Sequence, residues 1–184
     1  MYEYIFKGED DLSKKDREQL RDLLVPLFSF SYHFTQSYQR EGRLYYSSKP
    51  KWRLLVKDGN ELIGSLSIVE RHITKPFDLT IGGIGNVGVA QNYQKKGLAT
   101  GMLHEAHGFM KQKGINLSLL FCIERLKPVY IKAGYLQIKK PVTYIDGNGK
   151  PGKEELALFF PISLDRKTAA LIQFHGLDIG RGTW

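Results

Sequence analysis

The sequence predicts a mixed α/β sandwich built on a mostly antiparallel sheet, and three observations predict it. Strand-like runs over Trp52 to Lys57 and Glu61 to Val69 are joined by Asp58-Gly59-Asn60, a strong hairpin signal. After Gln94 the apolar period turns helical, with Leu98, Met102, Ala106, Phe109 and Met110 on one face. Leu117 to Ile123 is a short continuous apolar run, the pattern of a strand buried on both sides.

The other elements follow in order. Tyr2 to Phe6 reads as an opening strand. Ser13 is placed to cap a helix whose Leu20, Leu23, Leu24 and Leu27 recur at helical spacing. Phe28 to Tyr46 is crowded with aromatics and has no clean period, which predicts a second helix with irregular flanks. A turn near Lys75-Pro76 leads into Leu79 to Ala90, a third antiparallel strand, and Gly114 stops the helix that begins after Gln94. Pro128 and Gly134 bracket a short helix in the order of a start and a stop. Two strands, Tyr135 to Ile145 and Glu154 to Ile162, are joined by the turn-rich Asp146 to Gly152. From about 163 a tail, helical and then Gly-rich, runs to Trp184. Residues 1–184 are expected to form one domain with this tail.

With 184 residues and 42% hydrophobic content, the chain has enough for one sizeable core and no need of a second. Its longest apolar stretches fall far short of the roughly 20 residues of a membrane-spanning helix, so no membrane partner is expected. Met1 to Asp10 mixes aromatics with acids and lacks the order of a secretory signal. Cys122 is alone and excludes an intrachain disulfide; together these features point to the cytoplasm. The formal charge of +8 suits nucleic acid, an anionic surface or a polyanionic small molecule. The positives are scattered, as at Lys139/Lys140 and Lys49/Lys51/Arg53, and no nucleic-acid motif is present.

The stretch that carries chemistry is Val87-Gly88-Val89-Ala90-Gln91-Asn92-Tyr93-Gln94-Lys95-Lys96-Gly97-Leu98-Ala99-Thr100, where a strand breaks into a tight loop that opens a long helix. The first N–H groups of a helix have no internal partner and lie at the positive end of its dipole, so a phosphate suits them. Gly97 and small Ala99 let backbone approach such a ligand, and Lys95 and Lys96 add charge. Further on comes Tyr130-Ile131-Lys132-Ala133-Gly134-Tyr135.

In these two motifs the sequence resembles the GNAT superfamily of N-acetyltransferases, whose pyrophosphate loop reads Gln/Arg-x-x-Gly-x-Gly/Ala and whose following helix often ends in Tyr-x-x-x-Gly-Phe/Tyr. The resemblance covers most of residues 1–162 and is strongest from Asn86 to Tyr135. It implies helices on both faces of the sheet, a splay between the fourth and fifth strands, and acetyl-CoA as cosubstrate. It further implies that Val87, Gly88 and Val89 meet the pantetheine arm, with a backbone N–H there stabilising an oxyanion. Gln94, Lys95, Lys96, Gly97, Leu98, Ala99 and Thr100 then hold the diphosphate, and Tyr130 protonates the departing thiolate. Many relatives carry a glutamate in the strand before the loop. Here Gly83-Ile84-Gly85-Asn86-Val87 has no acid, and Glu70 and Glu124 read as surface carboxylates.

The tail supplies another carboxylate. Within the superfamily, the aminoglycoside 2-prime N-acetyltransferases are similar in having a tail that ends in tryptophan and reaches the acceptor, and in a terminal hairpin like the one ending at Phe160-Pro161-Ile162. The likeness implies that the α-carboxylate of Trp184, behind Gly180-Arg181-Gly182-Thr183, meets a cationic acceptor; the competing expectation is a frayed end.

Several other patterns are set aside. Gly83-x-Gly85-x-x-Gly88 spells a dinucleotide fingerprint but runs into a strand rather than a helix. His104 and His107 are three apart where a zinc-protease helix wants four, so no metal site is expected and both are placed on the solvent side. Cys122, within an apolar strand, reads as core. Phe28, Phe30, Tyr32, Phe34, Tyr38, Tyr45 and Tyr46 divide between core and an acceptor pocket. The expected function is acetyl transfer from acetyl-CoA to a primary amine on a small molecule or peptide. The alternatives are a longer-chain acyltransferase and a non-catalytic acyl-CoA sensor, and the sequence leaves open a homodimer.

Overall fold

The computed structural model describes residues 1–184. In chain order the elements are β1 (Glu3–Gly8), α1 (Lys14–Leu27), α2 (Tyr32–Glu41), β2 (Trp52–Asp58), β3 (Glu61–Ile73), β4 (Leu79–Val89), α3 (Leu98–Gln112) and β5 (Leu117–Phe121). There follow α4 (Lys127–Lys132), β6 (Leu136–Gln137), β7 (Val142–Ile145), β8 (Pro151–Glu154), β9 (Ala157–Pro161), α5 (Arg166–His175) and β10 (Asp178–Arg181). No helix is long and apolar enough to cross a membrane.

Local chemistry explains the boundaries. Ser13 Oγ accepts from the Asp16 N–H while Asp16 accepts from the Ser13 N–H, a capping box that starts α1. Ser31 caps α2, which ends at Gly42 in the left-handed region. The crowded aromatic segment thus holds one ten-residue helix, with Phe28 to Ser31 and the loop after Gly42 left irregular.

Seven strands form the main sheet in the order β1-β2-β3-β4-β5-β9-β6. Every pairing is antiparallel except that of β4 with β5. Helices α3 and α4 cover one face, over a core that includes Leu66, Ile68, Ile84, Met102, Met110 and Leu120. On the other face α1 and α2 enclose Leu20, Leu24, Phe34 and Leu55, while α5 and the small sheet enclose Ile81, Leu117, Phe159, Ile172 and Ile179. The mixed sheet with helices on both faces is the predicted one.

The terminal hairpin is not the simple one expected. Its two long strands each break in the middle: β6 and β9 stay in the main sheet, whereas β7 and β8 leave it and form a second sheet in the order β10-β7-β8. Pro141 lacks an N–H to continue the ladder, and the N–H of Lys139 is diverted to the Gln173 carbonyl of α5 at 2.7 Å. The tail is likewise ordered. Its α5 is capped by Asp165, and β10 runs parallel to β7, so the frayed end is not what forms.

A buried ion pair fixes the corner between β1 and β2. Arg53 Nε donates to Glu9 Oε2 at 2.7 Å, and Arg53 Nη2 donates to the Leu44 carbonyl at 2.8 Å. That second bond anchors the loop before β2, which carries Ser47 and Ser48 to the site described next.

Candidate active site

The site begins where the sheet opens. β4 and β5 are in register from Ile81/Leu117 to Ile84/Leu120, and β4 continues alone to Val89. This is the splay between the fourth and fifth strands. On its other edge β4 carries a bulge: Ser67 faces Gly85 and Ser65 faces Gly88, so Asn86 and Val87 share the place opposite Leu66. Asn86 takes a positive φ of 48°, and its Oδ1 accepts from Ser67 Oγ at 3.3 Å. An extra residue of this kind leaves ladder groups unpaired and re-aims its neighbours, a device common at active sites.

From Val89 the chain makes one turn of 3-10 helix at Gln91–Tyr93 and enters the predicted loop. The Gln94 side chain turns back, Nε2 donating to the Val89 carbonyl at 3.0 Å. Lys95 has φ 61° and Gly97 φ 83°, and Gly97 is the N-cap of α3 without any side-chain cap. In contrast, α1, α2 and α5 are capped by Ser13, Ser31 and Asp165. No carbonyl or side chain accepts from the N–H groups of Lys95 to Thr100, and the first bond of the helix is Gly101 N–H to the Gly97 carbonyl. The result is a row of free donors at the positive end of a 15-residue helix, the arrangement that takes up a diphosphate. Lys96 Nζ lies 5.6 Å from the Tyr93 ring, and Tyr93 donates to Asp58 at 3.0 Å, tying the rim of the loop to the β2–β3 hairpin.

Tyr130 and Trp184 stand on opposite faces of the sheet. Tyr130, on α4, is buried with Ile84 and Leu120 beneath α3. Burial, with Cys122 nearby, pushes its phenol well above the ordinary value, so it stays protonated. Trp184 lies on the other face, stacked on Phe121 at 5.2 Å and 28°. Its indole rests on the glycines of β4: a Cβ on Gly83 would stand 2.3 Å from Trp184 Cε2. At Gly85 a Cβ would be 3.8 Å from the carbonyl carbon of Trp184, one residue from the bulge. Trp184 Nε1, Thr183 Oγ1 and Ser65 Oγ are buried without partners.

The remaining acids are elsewhere. Glu70 pairs with Lys51 at 2.5 Å and exposed Glu124 lies 3.8 Å from Lys127. Cys122 lies just past β5 and is half-buried rather than core; burial and Glu124 push its thiol up to about 11. His107 is not on the solvent side as expected. It is buried against Phe160 at 3.8 Å, and its Nε2 lies 3.1 Å from Tyr135 Oη, which also bonds Ser118 Oγ at 2.6 Å. His104 is exposed as expected, whereas His107, four residues after buried Leu103 and three before buried Met110, faces Phe160 of β9.

Residues absent from the sequence reading include Arg71, Ser48, Phe121 and the Gly83/Gly85 pair. The glycines did carry a signal, since glycine inside an apolar strand often marks close approach of another group. In the sequence they were weighed only as a nucleotide fingerprint.

Solved structures share this architecture. Escherichia coli YhbS, a GNAT family N-acetyltransferase solved in complex with CoA, aligns with a TM-score of 0.61 and 15% identity over 100% of this chain and 91% of its own. Escherichia coli ElaA gives 0.60 and 13% identity over 86% of this chain and 99% of its own. A GCN5-related N-acetyltransferase from Anabaena variabilis gives 0.59 and 20% identity over 78% of this chain, which spans only 34% of that larger protein. At these identities the likeness is one of fold. No curated protein sequence matches the chain. The acetyltransferase (GNAT) domain family matches residues 10–138, which include the splayed strands, the glycine loop and α4; the chain belongs to that family of acyltransferases.

Proposed function

We infer that residues 1–184 act as one catalytic unit that transfers an acetyl group from acetyl-CoA directly to a primary amine. The observation that carries this reading is the run of free N–H groups from Lys95 to Thr100, one loop away from a bulged strand with an open edge. Gln94 to Thr100 hold the diphosphate, Lys95 and Lys96 contributing charge from the exposed rim. Val87, Gly88 and Val89 offer backbone groups to the pantetheine arm, and an N–H of the bulge stabilises charge on the thioester oxygen as the amine attacks.

Tyr130 and Trp184 divide the proton traffic between the two faces. The buried phenol of Tyr130 is held protonated and donates toward the departing sulfur, whose own basicity rises in the same dry surroundings. The carbonyl carbon of Trp184 would stand 3.8 Å from a Cβ on Gly85, and a carboxylate at that place would draw the proton from the acceptor ammonium. A thiol held at about 11 is a poor nucleophile at neutral pH, which favours direct transfer over an acyl-cysteine.

A tail returned to the acceptor side is what the resemblance to the aminoglycoside 2-prime N-acetyltransferases implied, so an aminoglycoside belongs in any acceptor panel. The +8 chain is an awkward host for a polycation, and small monoamines and peptide N-termini belong there equally. The structural neighbours do not fix this choice; one is the NatC complex, solved with a Gag peptide and CoA. The test is a thermal shift with acetyl-CoA, CoA, longer acyl-CoAs and NADPH, followed by turnover with the panel. Stabilisation by CoA species alone, then release of free CoA with an amine, is the expected result. A larger shift with a longer acyl chain would reassign the donor. Binding without turnover would make the protein a sensor, and no shift at millimolar ligand would end the reading.

A further inference from the structure

One side chain from the middle of the sheet binds the terminal segment into the molecule. Arg71, near the end of β3, donates from Nη1 to the carbonyls of Ile179 at 3.0 Å and Gly182 at 2.8 Å. Its Nη2 donates to Ser48 Oγ at 3.0 Å, in the loop anchored by Arg53. Its guanidinium carbon also lies 5.2 Å from the centre of the Trp184 ring. Every hydrogen bond that the Arg71 side chain makes therefore goes to the tail or to the loop flanking it. Removing a guanidinium from water is costly, and no carboxylate side chain pairs with Arg71 to offset that cost.

The tail has a matching surface to be held against. Gly83 leaves room for the indole that any Cβ would fill, Phe121 stacks on its far side, and the bulge begins one residue beyond Gly85. The Ser48 N–H donates to the Thr183 carbonyl at 3.1 Å, and the Gly182 N–H donates to the Ile145 carbonyl at 2.7 Å. Bonds from three separate elements thus converge on residues 179–183, and the residue they deliver is Trp184.

We propose that Arg71 is a positioning residue for acyl transfer, holding segment 178–184 so that Trp184 forms the acceptor wall beside the β4 bulge. This rests on the acyltransfer reading above. A purely architectural Arg71 would brace β10 without regard to the acceptor, and its loss would weaken melting temperature, CoA binding and turnover together.

The experiment uses the full chain with Trp52→Phe, which leaves Trp184 as the only tryptophan. Arg71→Met, Arg71→Lys and Gly83→Val are compared with this parent. The readouts are tryptophan emission, acrylamide quenching, the CoA dissociation constant, and kcat and KM for whichever amine of the panel turns over fastest. Arg71→Met is expected to red-shift the emission, raise quenching about threefold and cut amine kcat/KM about 30-fold, with CoA binding within about twofold. Gly83→Val, which fills the indole's place while leaving Arg71 intact, should reproduce that pattern, and Arg71→Lys should restore part of the loss. Unchanged emission and amine kcat/KM in Arg71→Met would overturn the proposal, as would losses in CoA binding that match those in turnover. If the parent acetylates none of the amines, the acyltransfer reading fails on its own control and the catalytic role of Arg71 falls with it. The emission shift then still shows whether Arg71 holds the tail.

Discussion

The two ends of the site are built by opposite means. The proposed cofactor end is local: Val87 to Thr100 is one continuous stretch, its free groups are backbone N–H donors, and its shape comes from two positive φ angles and a helix start. The proposed acceptor end is assembled from Ser48, Arg71, Gly83, Gly85, Phe121 and Trp184, which meet only after the whole sheet has formed. A backbone cradle tolerates many side chains and presents the same donors to the same anion. A wall made of distant side chains is free to change its substrate without disturbing the cradle, which is how one fold serves many acceptors.

The sharpest way to separate the two ends is through Tyr130, the proposed acid. Tyr130→Phe should lower kcat about 100-fold, at the low end of the range for a lost general acid, while CoA binding and the acceptor KM hold. Steady-state kinetics with calorimetric CoA titration would check this, and normal turnover would remove Tyr130 from the mechanism. Gly97→Val attacks the cradle alone. Placing a β-branched residue at φ 83° carries roughly 2 kcal/mol of strain, so the free loop relaxes and CoA binds about 30-fold more weakly. An acceptor KM that moved with it would mean that the two ends are not independent.

A third test concerns their shared support. Burial holds His107 down at about 4, with His104 adding to the effect, against 6.5 for the free group. The unfolded chain therefore takes up this proton first. The stability that His107 contributes is complete above pH 6.5 and is lost as pH falls toward 4, by about 2 kcal/mol at pH 4.5. Urea unfolding of His107→Gln should show a flatter dependence between pH 6.5 and 4.5 than the parent, with CoA affinity at pH 7.5 unchanged. The smallest effect belongs to the exposed rim: Lys95→Ala with Lys96→Ala should weaken CoA binding about threefold, and added salt should erase the difference.

The same contrast explains what could be read from the sequence. The hairpin at Asp58-Gly59-Asn60, the capped α1, the parallel strand at Leu117 and the loop before α3 all depend on neighbours in the chain, and each formed close to its predicted place. Arg71 was invisible because its partners in the tail lie more than a hundred residues away. His107 was misplaced because it was weighed only as a possible metal ligand, although its spacing from Leu103 and Met110 sets it on the buried side of α3. The terminal hairpin was read as one ladder because its alternation runs on, whereas Pro141 and the pull of α5 part it between two sheets.

The wedge between β4 and β5 also governs how the molecule comes apart. Only four register pairs join β1 to β4 on one side with β5, β9 and β6 on the other, so the centre of the sheet, usually its slowest region to open, contains a seam. Amides along the free edges of β4 beyond Ile84 and of the chain leaving β5 should exchange with solvent as loop amides do, despite lying mid-sheet. A ligand arm carrying its own amides into that wedge would supply the missing ladder partners. Slower exchange on both sides of the seam, well beyond any residue touching the diphosphate, would identify the cosubstrate as a temporary strand of the fold.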